Sequence, residues 1–98
     1  MVIKEAKQRG SQVYMRNDKQ TGTSVSGNLI DFTPNAVYVE NGQNINIYTD
    51  NGGFKSVGRT ITLNGGETVM CGNCVGIKKN GRINFYDENG KSANSRNV

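Results

Sequence analysis

The chain has no histidine and no tryptophan, and only one proline and two cysteines. Without imidazole it lacks the side chain that most often serves as general base near neutral pH. No carboxylate pair or Ser/Lys arrangement stands at a working spacing in its place, so no enzymatic activity is expected. Long apolar runs are missing as well, which excludes a membrane-spanning helix. The opening MVIKEAKQRG is charged from Lys4 onward and has no apolar segment of the secretory kind. The resulting expectation is a cytoplasmic protein with no membrane partner. Two cysteines are too few for a disulfide framework, so Cys71 and Cys74 are expected as thiols unless ligated.

Leu, Ile, Val and Phe together number 21 among 98 residues, close to the level below which chains stop folding. So thin a core gains from burying further apolar surface between copies, and a homo-oligomer is expected. Charge is unevenly spread: residues 1–50 carry five basic and five acidic side chains, residues 51–98 seven basic and three acidic. The excess suits an anionic partner; the plainer reading is a solvated face.

Asparagine and glycine take the place of what is missing. Five Asn-Gly dipeptides, at 41–42, 51–52, 64–65, 80–81 and 89–90, separate short β-branched stretches, the strongest local signal for tight hairpins. AVYVE, INIYT, RTITL and RINFYD alternate with period two. This puts Val37 with Val39, Ile45 with Ile47, Ile61 with Leu63 and Ile83 with Phe85 on inward faces. An earlier hairpin runs from SQVYMR into TSVSGNLIDF with Val13 and Met15 inward. Only IKEAKQ could pass for a helix, and it is too short to stand alone; the tail KSANSRNV, residues 91–98, has nothing to bury and is expected to fray.

Offsetting the chain by 38 residues aligns NAVYVENGQNINIYTDNGG (35–53) with NCVGIKKNGRINFYDENGK (73–91) without a gap. Val37/Val75, Ile45/Ile83 and Tyr48/Tyr86 match, and the inward phase is kept. The expected architecture is therefore one small all-β domain over residues 1–98, a barrel or sandwich of about seven or eight short antiparallel strands. It is built on an internal duplication of a three-stranded meander, roughly 28–49 and 66–87, joined by the strand around RTITL.

The C-x-x-C pair admits three readings. Cys71 and Cys74 can supply half of a zinc site, which without histidine or a third cysteine needs a second protomer. A redox pair wants the first cysteine at a helix N-terminus, and strand follows here instead. The offset aligns CGNC with TPNA (33–36), a turn by its own chemistry, so the same corner is made without sulfur. The corner role is preferred, with no cofactor required.

Two further places carry binding chemistry. With the aliphatic residues inward, Asn46 and Tyr48, and Asn84 and Tyr86, are expected to face outward beside Lys78, Lys79 and Arg82. Tyrosines stack on bases and lysines meet phosphates, as on open sheets that hold single strands or nucleotides; Asn and Tyr are equally ordinary on the wet face of a sheet. Phe54, after a glycine-rich turn and near Arg59, either covers the core edge or protrudes as a contact. The reading is a non-enzymatic binding module for single-stranded nucleic acid or a nucleotide. The alternative is an oligomeric assembly or protein-interaction component, for instance a phage or bacterial accessory protein, without nucleic-acid binding.

Overall fold

A computed structural model describes residues 2–50, 53–71 and 74–97, with the side chains of Arg59, Met70 and Cys71 left aside. The described residues form eleven strands and no helix: β1 (Ile3–Arg9), β2 (Gln12–Asn17), β3 (Gly22–Ser26), β4 (Asn28–Phe32), β5 (Val37–Asn41), β6 (Asn44–Asp50), β7 (Phe54–Thr62), β8 (Glu67–Cys71), β9 (Cys74–Lys79), β10 (Arg82–Tyr86) and β11 (Ser92–Asn97). They make three antiparallel sheets, β1-β2-β3, β4-β5-β6-β7 and β8-β9-β10-β11, called sheets 1, 2 and 3 below.

The Asn-Gly signal sets the turns. Asn64 and Gly65, and Asn80 and Gly81, all adopt positive φ, the geometry of a type I′ turn, whose twist matches that of the strands it joins. The first of these turns, closed by the Gly66 N–H on the Leu63 carbonyl at 2.9 Å, carries the chain from sheet 2 to sheet 3. The step from sheet 1 to sheet 2 is pinned by Gln8. Its amide nitrogen donates to the Gly10, Gln12 and Gly27 carbonyls, and its amide oxygen accepts from the Leu29 N–H. Gln43 holds the second step in the same manner, accepting from Gly65 through its side chain and from Leu63 through its carbonyl.

Sheet 2 lies between the other two and is buried on both faces. Val37 and Val39, with Leu29, Phe32, Tyr48 and Phe54, pack on Ile3, Ala6, Val13 and Met15 of sheet 1. Tyr38, Ile45, Ile47 and Ile61 pack on Val75, Ile77 and Tyr86 of sheet 3. Residues 36–39 are accordingly all fully buried, since consecutive strand side chains enter opposite cores.

The all-β antiparallel class is as the sequence implies, arranged as three sheets, and several expectations change in detail. Strands number eleven, and two of them, β1 and β11, come from segments with little or no alternating apolar signal. IKEAKQ is strand β1, not helix, since Ile3 and Ala6 are buried against sheet 2. The tail does not fray over residues 92–97: it is β11, paired along β10. The strand that holds RTIT, β7, follows β4–β6 and precedes β8–β10 as expected, and it is the fourth strand of sheet 2, paired with β6. The strand pattern does not establish the internal duplication: the 38-residue offset carries the first residues of β6 and β7 onto those of β10 and β11, but the starts of β4 and β5, Asn28 and Val37, each fall one residue away from those of β8 and β9, Glu67 and Cys74.

Candidate functional site

Register decides where each candidate residue lies. In sheet 3 the pairs Val75↔Tyr86, Ile77↔Asn84 and Lys79↔Arg82 share the face turned to sheet 2, while Gly76↔Phe85 and Lys78↔Ile83 share the outer face. In sheet 2 the pairs Val37↔Tyr48 and Val39↔Asn46 share the face turned to sheet 1.

The outward Asn/Tyr strip is therefore not formed. Tyr48 is half-buried against the core between sheets 1 and 2, and Tyr86 against the core between sheets 2 and 3. Both tyrosines turn toward the preceding layer, leaving no open aromatic platform for bases. Asn46 is half-buried and accepts from the Thr60 hydroxyl at 3.3 Å, whereas Asn84 is exposed. Conversely, Ile83 and Phe85 occupy the outer face of sheet 3, where they are only 7% and 8% exposed. The cause is Gly76 between them: both side chains lean over the space where a Cβ would stand. The Arg96 guanidinium covers the Phe85 ring at 5.4 Å from its centroid, a cation–π arrangement.

The register places Lys79 and Arg82 on the face turned to sheet 2 and Lys78 on the outer face. Lys78 and Lys79 line an open cavity of about 350 Å³ together with Gly65, Glu67 and the Asn80–Gly81 turn. Arg82 lies opposite Lys79 in register and donates to the Ser95 hydroxyl at 3.1 Å. Glu67, which is opposite Lys78 in register, is the acidic member that the sequence reading missed; cross-strand pairing of β8 and β9 was the signal available. Phe54 is half-buried against the core shared with sheet 1, the core-covering alternative. The Arg59 side chain lies outside the described residues.

Cys71 and Cys74 are register partners across the β8–β9 connection. Cys74 is a half-buried free thiol; the Cys71 side chain and residues 72–73 lie outside the described residues. Cys74 also borders a second cavity, of about 220 Å³, with Phe85, Ala93, Asn94 and Arg96. Among the described residues no group of three or more His, Cys, Asp or Glu side chains could hold a metal ion.

Two carboxylates serve the turns. Asp87 Oδ1 accepts the N–H groups of Asn89 and Lys91, and Asp50 Oδ1 accepts that of Gly53. The second oxygen of Asp50 and one oxygen of Glu88 are buried without a hydrogen-bond partner among the described residues. Tyr38 is fully buried, and burial pushes its phenol well above the ordinary tyrosine range; Glu88, Cys74, Asp87 and Asp31 add to this electrostatically. A phenol held protonated in a core is a packing element with a hydroxyl, not a general base.

No helix among the described residues is long and apolar enough to cross a membrane. No protein-family model matches the chain, and neither the curated proteins nor the solved structures yield a match.

Proposed function

We propose that this protein is a non-enzymatic binding module for an anionic, phosphate-bearing ligand, a single-stranded nucleic acid or a nucleotide, held at the β9–β10 hairpin. The observation that carries the reading is the cavity in which Lys78 and Lys79 meet the Asn80–Gly81 turn, with Arg82 on the next strand. Because Tyr48 and Tyr86 lie against the cores, recognition at this hairpin rests on charge and not on base stacking. Discrimination among bases should be weak and salt dependence pronounced.

Fluorescence anisotropy with labelled single-stranded RNA, single-stranded DNA and nucleotides tests this. Three cations meeting the phosphates of a single strand predict a slope of log K against log salt of about −2. Lys78→Ala with Lys79→Ala should abolish most of the affinity. Absence of binding to the whole panel at low salt would refute the proposal. An assembly component is the second reading, favoured by the outer face of sheet 3.

A further inference from the structure

We infer that the outer face of sheet 3 is the contact surface for a second copy of this chain, joined face to face about a twofold axis. The inference rests on the assembly reading; its face includes Glu67 and Lys78, which also line the cavity proposed for the anion, so a face-to-face dimer competes with anion binding there.

The layers themselves indicate a covered face. In sheet 2, the face bearing Tyr38, Ile45 and Ile47 is closed by sheet 3. The positions 38 residues on, Gly76, Ile83 and Phe85, form the outer face of sheet 3. On that face Val69 is 38% exposed, and the cavity of Cys74, Phe85, Ala93, Asn94 and Arg96 opens beside Phe85. The outer face of sheet 1 is finished differently. There Glu5 pairs with Lys7 and Arg16, and Arg9 stacks on Tyr14 at 4.5 Å. A stack needs such a polar end, and sheet 3 presents the less polar one.

Charge then selects the occupant. Sheet 1 outward carries Lys7, Arg9 and Arg16 against Glu5, and sheet 3 outward carries Lys78 and Arg96 against Glu67, so head-to-tail stacking of copies sets two faces of net positive charge together. The outer face of sheet 3 matches itself. Hydrogen-bonded register places Glu67, Lys78, Ile83 and Arg96 in one row across the four strands, and Val69, Gly76, Phe85 and Asn94 in the next. An axis parallel to the strands and midway between β9 and β10 exchanges β8 with β11 of the partner. Each Glu67 then meets the partner's Arg96, each Lys78 stem crosses the partner's Ile83, and the two Phe85 rings flank the axis. Such an isologous contact closes at two copies.

Four strands at about 4.8 Å spacing and five residues at about 3.4 Å give a face on the order of 300 Å² per copy. That is below the roughly 800 Å² per partner of a standard stable interface, so the dimer should be concentration-dependent.

Sedimentation velocity from about 10 to about 500 µM is the test, a range suited to an interface of this size. The expected result is a shift from monomer toward dimer across the range. Val69→Glu, Glu67→Arg and Arg96→Glu should each reduce dimer at least about tenfold, the scale of losing one close charge pair or buried contact. The double exchange Glu67→Arg with Arg96→Glu should restore it, which a merely structural lesion would not do. Melting curves of each variant confirm folding. A strict monomer at the highest concentration overturns both the surface and the assembly reading. A dimer indifferent to all three substitutions, or a double exchange that fails to restore it, overturns the surface alone.

Discussion

Replacing Gly76 by alanine adds one carbon at the centre of the outer face of sheet 3, where the geometry leaves no room for it. The new Cβ would lie 2.8 Å from Ile83 Cγ2 and 3.0 and 3.1 Å from Phe85 Cε1 and Cδ1. Carbon atoms rest at about 3.5–4.0 Å, so both side chains must retreat by roughly half an ångström to one ångström. Phe85 cannot move outward freely, because Arg96 lies over its ring. Gly76 does not hold a positive φ, so no backbone strain is added. Alanine lowers the entropy of the unfolded chain, a gain of about 0.4–1 kcal/mol. Overpacking of this kind costs about 1–3 kcal/mol, so the difference runs from about 0 to about 2.6 kcal/mol, centred on a net loss of about 1.3 kcal/mol. For a chain of this size that central value corresponds to a fall in Tm of roughly 5–10 °C, read by far-ultraviolet circular dichroism. Phe85→Leu removes the crowding ring atoms, so in a double-mutant cycle the penalty of Gly76→Ala should shrink in its presence. A Gly76→Ala protein melting at or above the parent temperature, or no coupling to position 85, would refute the packing argument.

Three other outcomes are expected. Asn17 Oδ1 accepts the N–H groups of Lys19 and Thr21, as Asp87 does for Asn89 and Lys91; Asn17→Ala should lose about 1–2 kcal/mol in urea unfolding, while Asn17→Asp keeps most of the stability. The raised ionisation of buried Tyr38 means that its contribution to stability is complete below the unfolded tyrosine value of about 10 and is lost as pH rises beyond it. Tyr38→Phe should accordingly flatten the alkaline limb of a stability–pH curve, and an unchanged limb would count against the assignment. Truncation after Lys91 removes β11 and uncovers Phe85 and Ile83; a loss of about 2 kcal/mol or more and new binding of a hydrophobic dye should follow.

What could be read in the sequence was what depends on nearest neighbours. The positive-φ turns at Asn64–Gly65 and Asn80–Gly81 were legible because their conformation follows from the dipeptide itself, and Val13 and Met15 because their strand alternates cleanly. Tyr48 and Tyr86 were misplaced for a different reason. Alternation separates two faces but does not say that both are covered, and in sheet 2 both are. The run Ala36–Val37–Tyr38–Val39 held the missing sign, since four successive buried residues describe a strand inside a stack. Strand β11, with five polar residues among six, carries no alternating apolar signal; its backbone pairs with β10, and Ser95 and Arg96 add side-chain contacts to Arg82 and Phe85. Lys78, Lys79 and Arg82 were legible as charges neighbouring one turn; that Glu67 shares a cavity with the two lysines depends on a register between strands that composition does not encode.

Every hydrogen-bonded strand pair in this molecule joins segments that follow one another along the chain. Closing such short loops costs little entropy, and single hairpins form in about 1–10 µs. Assembly should therefore be quick for a protein made only of strands. A nascent chain could finish pairing β1, β2 and β3 while the ribosome is still adding the later strands.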